Sequence, residues 1–294
     1  MNYSDKLSND GIIKETYSII KKFKRPVFLI GLVLTLSIIL LAIFAPLLAT
    51  DPLKMSSEIL KPPFVSRSHI FGTDQFGRDI FTRLIYGARI TLLVAWTSAI
   101  GAAIFGSLSG SLTGYFGGLV DNIAMRILES IMTFPFIVIA LLLATVFIPG
   151  IETLIIVFTI IGTPSFAKII RGTVLSLKQE EYILAARALG NSDLRIIFRH
   201  ILPNCFHQVL ILVTLQISRI IFVEAGLSFI GVGIQPPFPS WGNMLADGRG
   251  YMMIAWWLVV LPGLALLITV LGANLLADGL QDILNPKSSG IKKK

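Results

Sequence analysis

Between Arg89 and Asp121 the chain runs for 31 residues, Ile90 to Val120, without a charged side chain. Only a bilayer, which a helix of about 20 apolar residues can span, suits such a stretch. Within it Ser98, Ala102, Gly106, Gly110 and Gly114 recur at every fourth position, which aligns small side chains along one stripe of one helix. In a membrane such a stripe lets a second helix approach closely, so packing within the chain or against another subunit is preferred to a ligand role. Composition agrees: 54% of residues are hydrophobic and 14% charged, with a mean hydropathy of +0.79, whereas a water-soluble surface carries about a quarter charged residues.

Five further apolar segments complete an all-α integral membrane protein of six transmembrane helices. Residues 27–49 hold 23 uncharged positions, too many for a signal-peptide core and the right length for an uncleaved first span. Residues 130–151 form a third span kinked at Pro135, and Thr153 to about Ile170 a fourth, interrupted by Pro164. The very short turn at Glu152 makes these two a tight antiparallel pair. His207–Val232 and Tyr251–Ala277 supply the fifth and sixth. Residues 1–26 read as a basic tail in which Ile13, Tyr17, Ile20 and Phe23 recur at helical spacing. Residues 50–89 are an external polar segment in which Thr73 or Asp74 can cap a helix and Gly72 and Gly77 supply turns. Residues 90–277 form the core, with Trp241 as an aromatic anchor in a Pro- and Gly-rich loop, and 278–294 a basic tail.

Orientation follows from Lys and Arg beside the spans. With the N-terminus cytoplasmic, 17 basic residues lie inside and seven outside, Arg219 remaining in the membrane. Both ends and the loop 171–206 are therefore expected inside. The net charge of +8 does not indicate nucleic acid, because the basic residues flank apolar runs and form no stripe with interleaved aromatics. The single cysteine, Cys205, excludes an intrachain disulfide and a cysteine-built metal cage. The scattered His69, His200 and His207 have no metal-ligand spacing, and no cofactor is expected.

The most informative polar segment is EYILAARALGNSDLRIIFRHILPN, residues 181–204. Ser176 and Gln179 make a capping-box pattern from which a helix runs through Glu181 and Ala185 to Leu189, Gly190 ends it in the left-handed conformation, Ser192 and Asp193 open a second helix, and Pro203 stops the chain before the fifth span. Tyr182, Ala185, Ala186 and Leu189 share a face that forms a smooth knob for another protein's groove, while Arg187, Arg195 and Arg199 stay solvated or meet acidic partner groups. An ordinary loop of two helices is the bland alternative.

This segment resembles the cytoplasmic coupling motif of binding-protein-dependent ABC importer permeases, Glu-Ala-Ala, three residues, Gly, a spacer and Ile-x-Leu-Pro. Ala185, Ala186, Gly190, Leu202 and Pro203 match; Leu184 stands where the family has its glutamate and His200 where it has isoleucine. FGTDQFGRDIFTRLIYGARITL (71–92), GYFGGLVDNIAMRILESIMTFPF (114–136) and EAGLSFIGVGIQPPFPSWGNML (224–245) are similar to the C-type permease subunit of the dipeptide, oligopeptide and nickel branch.

The resemblance implies a type I ABC importer permease fold in which Glu181, Tyr182, Ala185, Ala186, Arg187, Leu189, Gly190, Leu202 and Pro203 dock on an ATPase. It also implies a second homologous permease subunit, two ATP-binding subunits and an extracytoplasmic substrate-binding protein, in a bacterial inner membrane. No G-x-x-x-x-G-K-[ST] phosphate loop occurs in the chain, so ATP hydrolysis is expected in partner subunits. Peptides are the first choice of cargo and nickel or a metal chelate the second. Arg219 and Glu224, charges within the fifth span, read as pathway-lining or paired groups, because each costs on the order of 3 kcal/mol in a bilayer. An ion-coupled secondary transporter would show paired broken helices in repeated halves, and no repeat is visible. A membrane enzyme would need a catalytic constellation, and none recurs.

Overall fold

The computed structural model describes residues 25–284 apart from 66, 148 and 149. The helical spacing of Ile13, Tyr17, Ile20 and Phe23 and the basic tail beyond 284 lie outside the described residues. The chain forms α1 (Pro26–Ile43), the short α2 (Ala45–Leu48), α3 (Ile80–Phe116), α4 (Gly118–Met132), α5 (Phe136–Val146), α6 (Ile151–Leu177), α7 (Glu181–Ala188), α8 (Asp193–Ile196), a π-helical turn (Ile197–Ile201), α9 (Leu202–Ile230), α10 (Trp241–Arg249) and α11 (Trp257–Leu284).

Five of these stretches are long and apolar enough to cross a membrane, and α4 with α5 makes a sixth only if the pair, bent by 88°, counts as one span. The packing decides this. A Cβ added to Gly101 would meet Thr159, one on Gly106 Thr163 and Phe166, one on Gly110 Ala167, and one on Gly114 Arg171 and Val174. Residue numbers rise together along both helices, so α3 and α6 run parallel, and α4–α5 must carry the chain back across between them. At the other side of the bundle Phe28 lies against Gly279, Gly31 against Leu276 and Leu34 against Gly272. Here α1 and α11 are antiparallel, and an ion pair between Arg25 and Asp282 closes the end where they start and finish. Six crossings result.

The small-residue stripe is thus the α3–α6 seam. Ser98, Ala102, Gly106 and Gly110 are buried there, and an unbranched surface lets the two backbones come into contact. Pro164 is buried inside α6 and the helix runs through it; packed neighbours let a spanning helix tolerate a missing backbone donor.

Several boundaries differ from expectation. The polar segment ends at Asp79 rather than residue 89, since the Asp79 carboxylate accepts the Thr82 N–H and caps α3. Thr73 and Asp74 serve other purposes. The charges at Arg83 and Arg89 belong to α3, because Arg83 is neutralised by Asp74 and Asp247. The third span is a broken pair instead of a kinked helix, with α4 beginning at Gly118 and the break at residues 133–135. The sixth span starts at Trp257 and continues to Leu284, into what reads as tail; its buried Gly279 and Ile283 continue the packed face beyond Ala277. Trp241 is no interfacial anchor: it is among the largest wholly buried side chains, and its indole N–H donates to the Leu84 carbonyl at 3.0 Å.

The connection from α2 to α3 forms a cap over one end of the bundle. Gly72 and Gly77 take φ of +81° and +71°, a region open to glycine at little cost. Asp74 organises the cap. Its Oδ1 accepts the backbone N–H of Phe76 and Arg78 at 2.8 and 2.9 Å, and its Oδ2 accepts Arg78 Nε at 2.6 Å and Arg83 Nη1 at 2.7 Å. Arg83 reaches on to Asp247 of α10 at 3.1 Å, and Trp257 Nε1 donates to the Thr73 carbonyl at 3.1 Å. Cap, α3, α10 and α11 are joined through these bonds.

Candidate functional site

At the opposite end of the bundle, residues 181–204 form two helices around a sharp turn. Gly190 has φ +79°. Its N–H donates to the Arg187 carbonyl at 3.0 Å and the Asn191 N–H to the Ala186 carbonyl at 3.3 Å, the paired bonds of a Schellman ending.

The start of α7 differs from the capping-box reading. Ser176 is still inside α6, and Glu180 occupies the N-cap position of α7 without a side-chain cap bond. Burial of Ile170 and Val174 draws α6 on to Leu177, and burial overrides a local capping preference. Pro203 does not stop the chain either. Asp193 to Ile230 is one 38-residue helical stretch with a π turn at 197–201. A proline ring clashes with the carbonyl four residues back, and the wider turn just before Pro203 accommodates it. The loop read as 171–206 is therefore spanning helix at both ends.

The segment is seated by its own small core. Ile183 of α7, Ile196 of α8 and Ile197 and Ile201 of the π turn are buried with Tyr115, Ile170, Val174 and Cys205. Tyr115, near the end of α3, touches both short helices: its hydroxyl donates to Asp193 Oδ1 at 2.6 Å, and the Arg187 guanidinium lies 5.2 Å from its ring centroid. Lys178 Nζ donates to the Gly114 carbonyl at 2.9 Å, and Arg171 pairs with Asp121 of α4 at 2.5 Å. Ile183 in the shared core and Arg187 over the Tyr115 ring thereby seat α7 against the ends of α3, α6 and α9. Sequence reasoning missed Tyr115, whose partner lies 78 residues away, and the isoleucines, whose recurrence at 197 and 201 is a visible helical signal.

The candidate docking residues do not all face one way. Glu181, Tyr182, Leu184, Ala185, Arg187, Leu189 and Pro203 are exposed, Leu202 is half-buried and Ala186 is buried beside Ile183. The expected knob is thus Tyr182, Ala185 and Leu189, with Leu189 83% exposed, while Ala186 fits α7 to its own bundle. Arg187 has an intramolecular contact rather than a wholly solvated position.

The two charges of the fifth span separate. Glu224 is 0% exposed; Ser228 donates to its Oε1 at 2.7 Å and accepts the Ile234 N–H at 3.1 Å. It braces the turn after α9 from inside and reaches no open face. Arg219 is exposed, and its guanidinium lies 4.2 Å from the centroid of the Phe136 ring.

Known proteins share this architecture. A family model described as "Binding-protein-dependent transport system inner membrane component" matches residues 104–290, and one described as "N-terminal TM domain of oligopeptide transport permease C" matches 19–63. The chain is 40% identical over 274 residues to a dipeptide transport system permease protein, DppC, of Alkalihalophilus pseudofirmus, covering 93% of this chain and 90% of that one. It is also 40% identical over 261 residues to the oligopeptide transport system permease protein OppC of Bacillus subtilis, covering 88% and 85%. A solved structure titled as inward facing conformations of the MetNI methionine ABC transporter aligns with a TM-score of 0.56 at 18% identity, over 70% of this chain and 98% of that one. That likeness concerns the fold. With more than half its length matched, and relatives at this identity along nearly its whole length, the chain belongs to the binding-protein-dependent transport system inner membrane components.

Proposed function

We propose that the chain is one of two homologous permease subunits that form the translocation path of a peptide importer in the bacterial inner membrane. Separate ATPases drive it, and an external binding protein delivers the cargo. The observation that carries this reading is the 181–204 segment: a short helix with an exposed Tyr182–Ala185–Leu189 face, seated by its own core on the ends of three spanning helices. Such a piece transmits a push from outside the membrane into the bundle. Closure of the ATPases on ATP moves α7, and the bundle passes between two states, one open to each side.

The excess of basic residues on its side supports a cytoplasmic position for the segment and both chain ends, and the Arg25–Asp282 pair supports placing those ends together. Relatives named for dipeptide and oligopeptide transport favour peptides over nickel. With Leu184 exposed at the position of the family's glutamate, docking rests on shape and on the neighbouring side chains.

Ala185→Trp tests the docking directly, because Ala185 is exposed and the change leaves the chain's own core alone, whereas Ala186→Trp would strike it. The expected result is a normally folded protein that retains roughly a tenth or less of the co-purifying ATPase, a loss of about 1.4 kcal/mol or more, with uptake falling in parallel. Unchanged ATPase association and uptake would show that α7 is not the docking element.

A further inference from the structure

Arg219 stands eleven residues before the end of α9 at Ile230, about 16 Å at 1.5 Å per residue and so near the middle of a hydrocarbon core of about 30 Å. It shares an exposed stripe with Leu215, Phe222 and Phe229, and Phe222 is 72% exposed. Among the described residues no carboxylate lies within ion-pair distance of it; its contact is the Phe136 ring at 4.2 Å. Phe136 is the first residue of α5, immediately after the 88° break at 133–135. Two independent features therefore meet at one spot. A mid-depth arginine is disfavoured against lipid, and a broken helix at this depth is tolerated only where it is buried in protein or lines water. A face that lines a water-filled path meets both requirements.

We propose that Arg219 is a cargo-binding residue of the translocation path, where its guanidinium receives the free C-terminal carboxylate of a peptide. This rests on the peptide-importer reading above. A planar guanidinium matches a carboxylate with two parallel hydrogen bonds, and every unmodified peptide carries that group whatever its side chains. The Phe136 ring holds the guanidinium by a cation–π contact and leaves its donors open. Phe222, one turn further on, adds an apolar wall that suits varied side chains.

The test uses the complete complex, with its ATPases and binding protein, in liposomes. Its cargoes are a tripeptide and the same tripeptide amidated at its C-terminus, both first shown by calorimetry to bind the binding protein. Arg219→Gln is expected to lower uptake of the free-acid peptide roughly tenfold, the scale of a lost hydrogen bond to a charged group, to lower uptake of the amide much less, and to leave assembly with the ATPases unchanged. Arg219→Lys should restore most of the loss. In a Cys205→Ala background, Arg219→Cys should react with a water-soluble methanethiosulfonate, and the free-acid peptide should slow the reaction.

Equal losses for acid and amide would overturn the assignment, as would failure of Arg219→Gln to assemble where Arg219→Lys does, which would instead indicate an ion pair with the second subunit. A thiol at 219 that stays inert with and without ATP would also overturn it. Absence of uptake of either cargo by the unsubstituted complex would overturn the peptide reading itself.

Discussion

Asp74→Ala is expected to destabilise the protein by about 3–5 kcal/mol, the usual cost of removing one partner from a buried charge cluster. The Asp74 side chain is 1% exposed, and it neutralises Arg83 and Arg78, which are 6% and 14% exposed. Without it two guanidinium groups face each other inside the cap with only Asp247 between them. Two backbone N–H groups, those of Phe76 and Arg78, lose their acceptor as well. Asp74→Asn should cost nearly as much, because an amide that keeps the backbone bonds turns an N–H₂ donor toward the arginines. Asp247→Ala should cost under about 1 kcal/mol, since that carboxylate is 38% exposed and water replaces it. Replacing Arg83 by Met in the Asp74→Ala protein should recover part of the loss by removing the stranded charge. Melting temperatures of the detergent-solubilised protein check the series. Equal values for the Asp74 and Asp247 variants would refute the idea that Asp74 is the centre of the cap.

The cap also shows where sequence reading stops. FGTDQFGRD is visible as a turn-rich, charged motif, and the positive φ of Gly72 and Gly77 agrees with that. Charge bookkeeping nevertheless assigned Arg83 and Arg89 to a loop, because the acid that neutralises Arg83 from α10 stands 164 residues away. The same limit explains Trp241, whose acceptor is the Leu84 carbonyl, and Tyr115, which binds Asp193. Local rules succeeded where the cause is local: Gly190 has no near neighbour, and only its backbone conformation matters. They failed where packing or geometry outweighs them, as when the buried face of α6 carries Ser176 past its capping role and a π turn carries the chain through Pro203. Of the candidate site, the shape of 181–204, two helices around a turn at Gly190, was legible. Which alanine faces outward was not, because Ala185 and Ala186 are alike in sequence and are told apart by the core beneath them.

The stripe on α3 was legible as a close approach, though its partner was not, and it supports the second large prediction. Gly106→Leu and Gly110→Leu are each expected to prevent accumulation of folded protein. A Cβ on Gly106 already meets Phe166 Cβ and comes within 2.6 Å of the Thr163 carbonyl oxygen, and one on Gly110 comes within 3.0 Å of the Ala167 backbone. Because the obstacles include backbone atoms, no rotamer change in α6 can remove them, and the helices must separate. The alanine variants should cost about 1–3 kcal/mol each, the range for overpacking, and leucine more. Gly172→Ala is the control: it lies on the same α6, nothing stands within 4 Å of its added Cβ, and alanine gains up to about 1 kcal/mol over glycine in a helix interior. A melting temperature that falls for Gly106→Ala and Gly110→Ala while holding or rising for Gly172→Ala would locate the cost in the seam. If all three alanines behaved alike, the seam would not be the close contact described. Because Tyr115 ties the far end of the seam to the 181–204 segment, the seam variants that still fold should also transport poorly, as the docking role proposed for α7 requires.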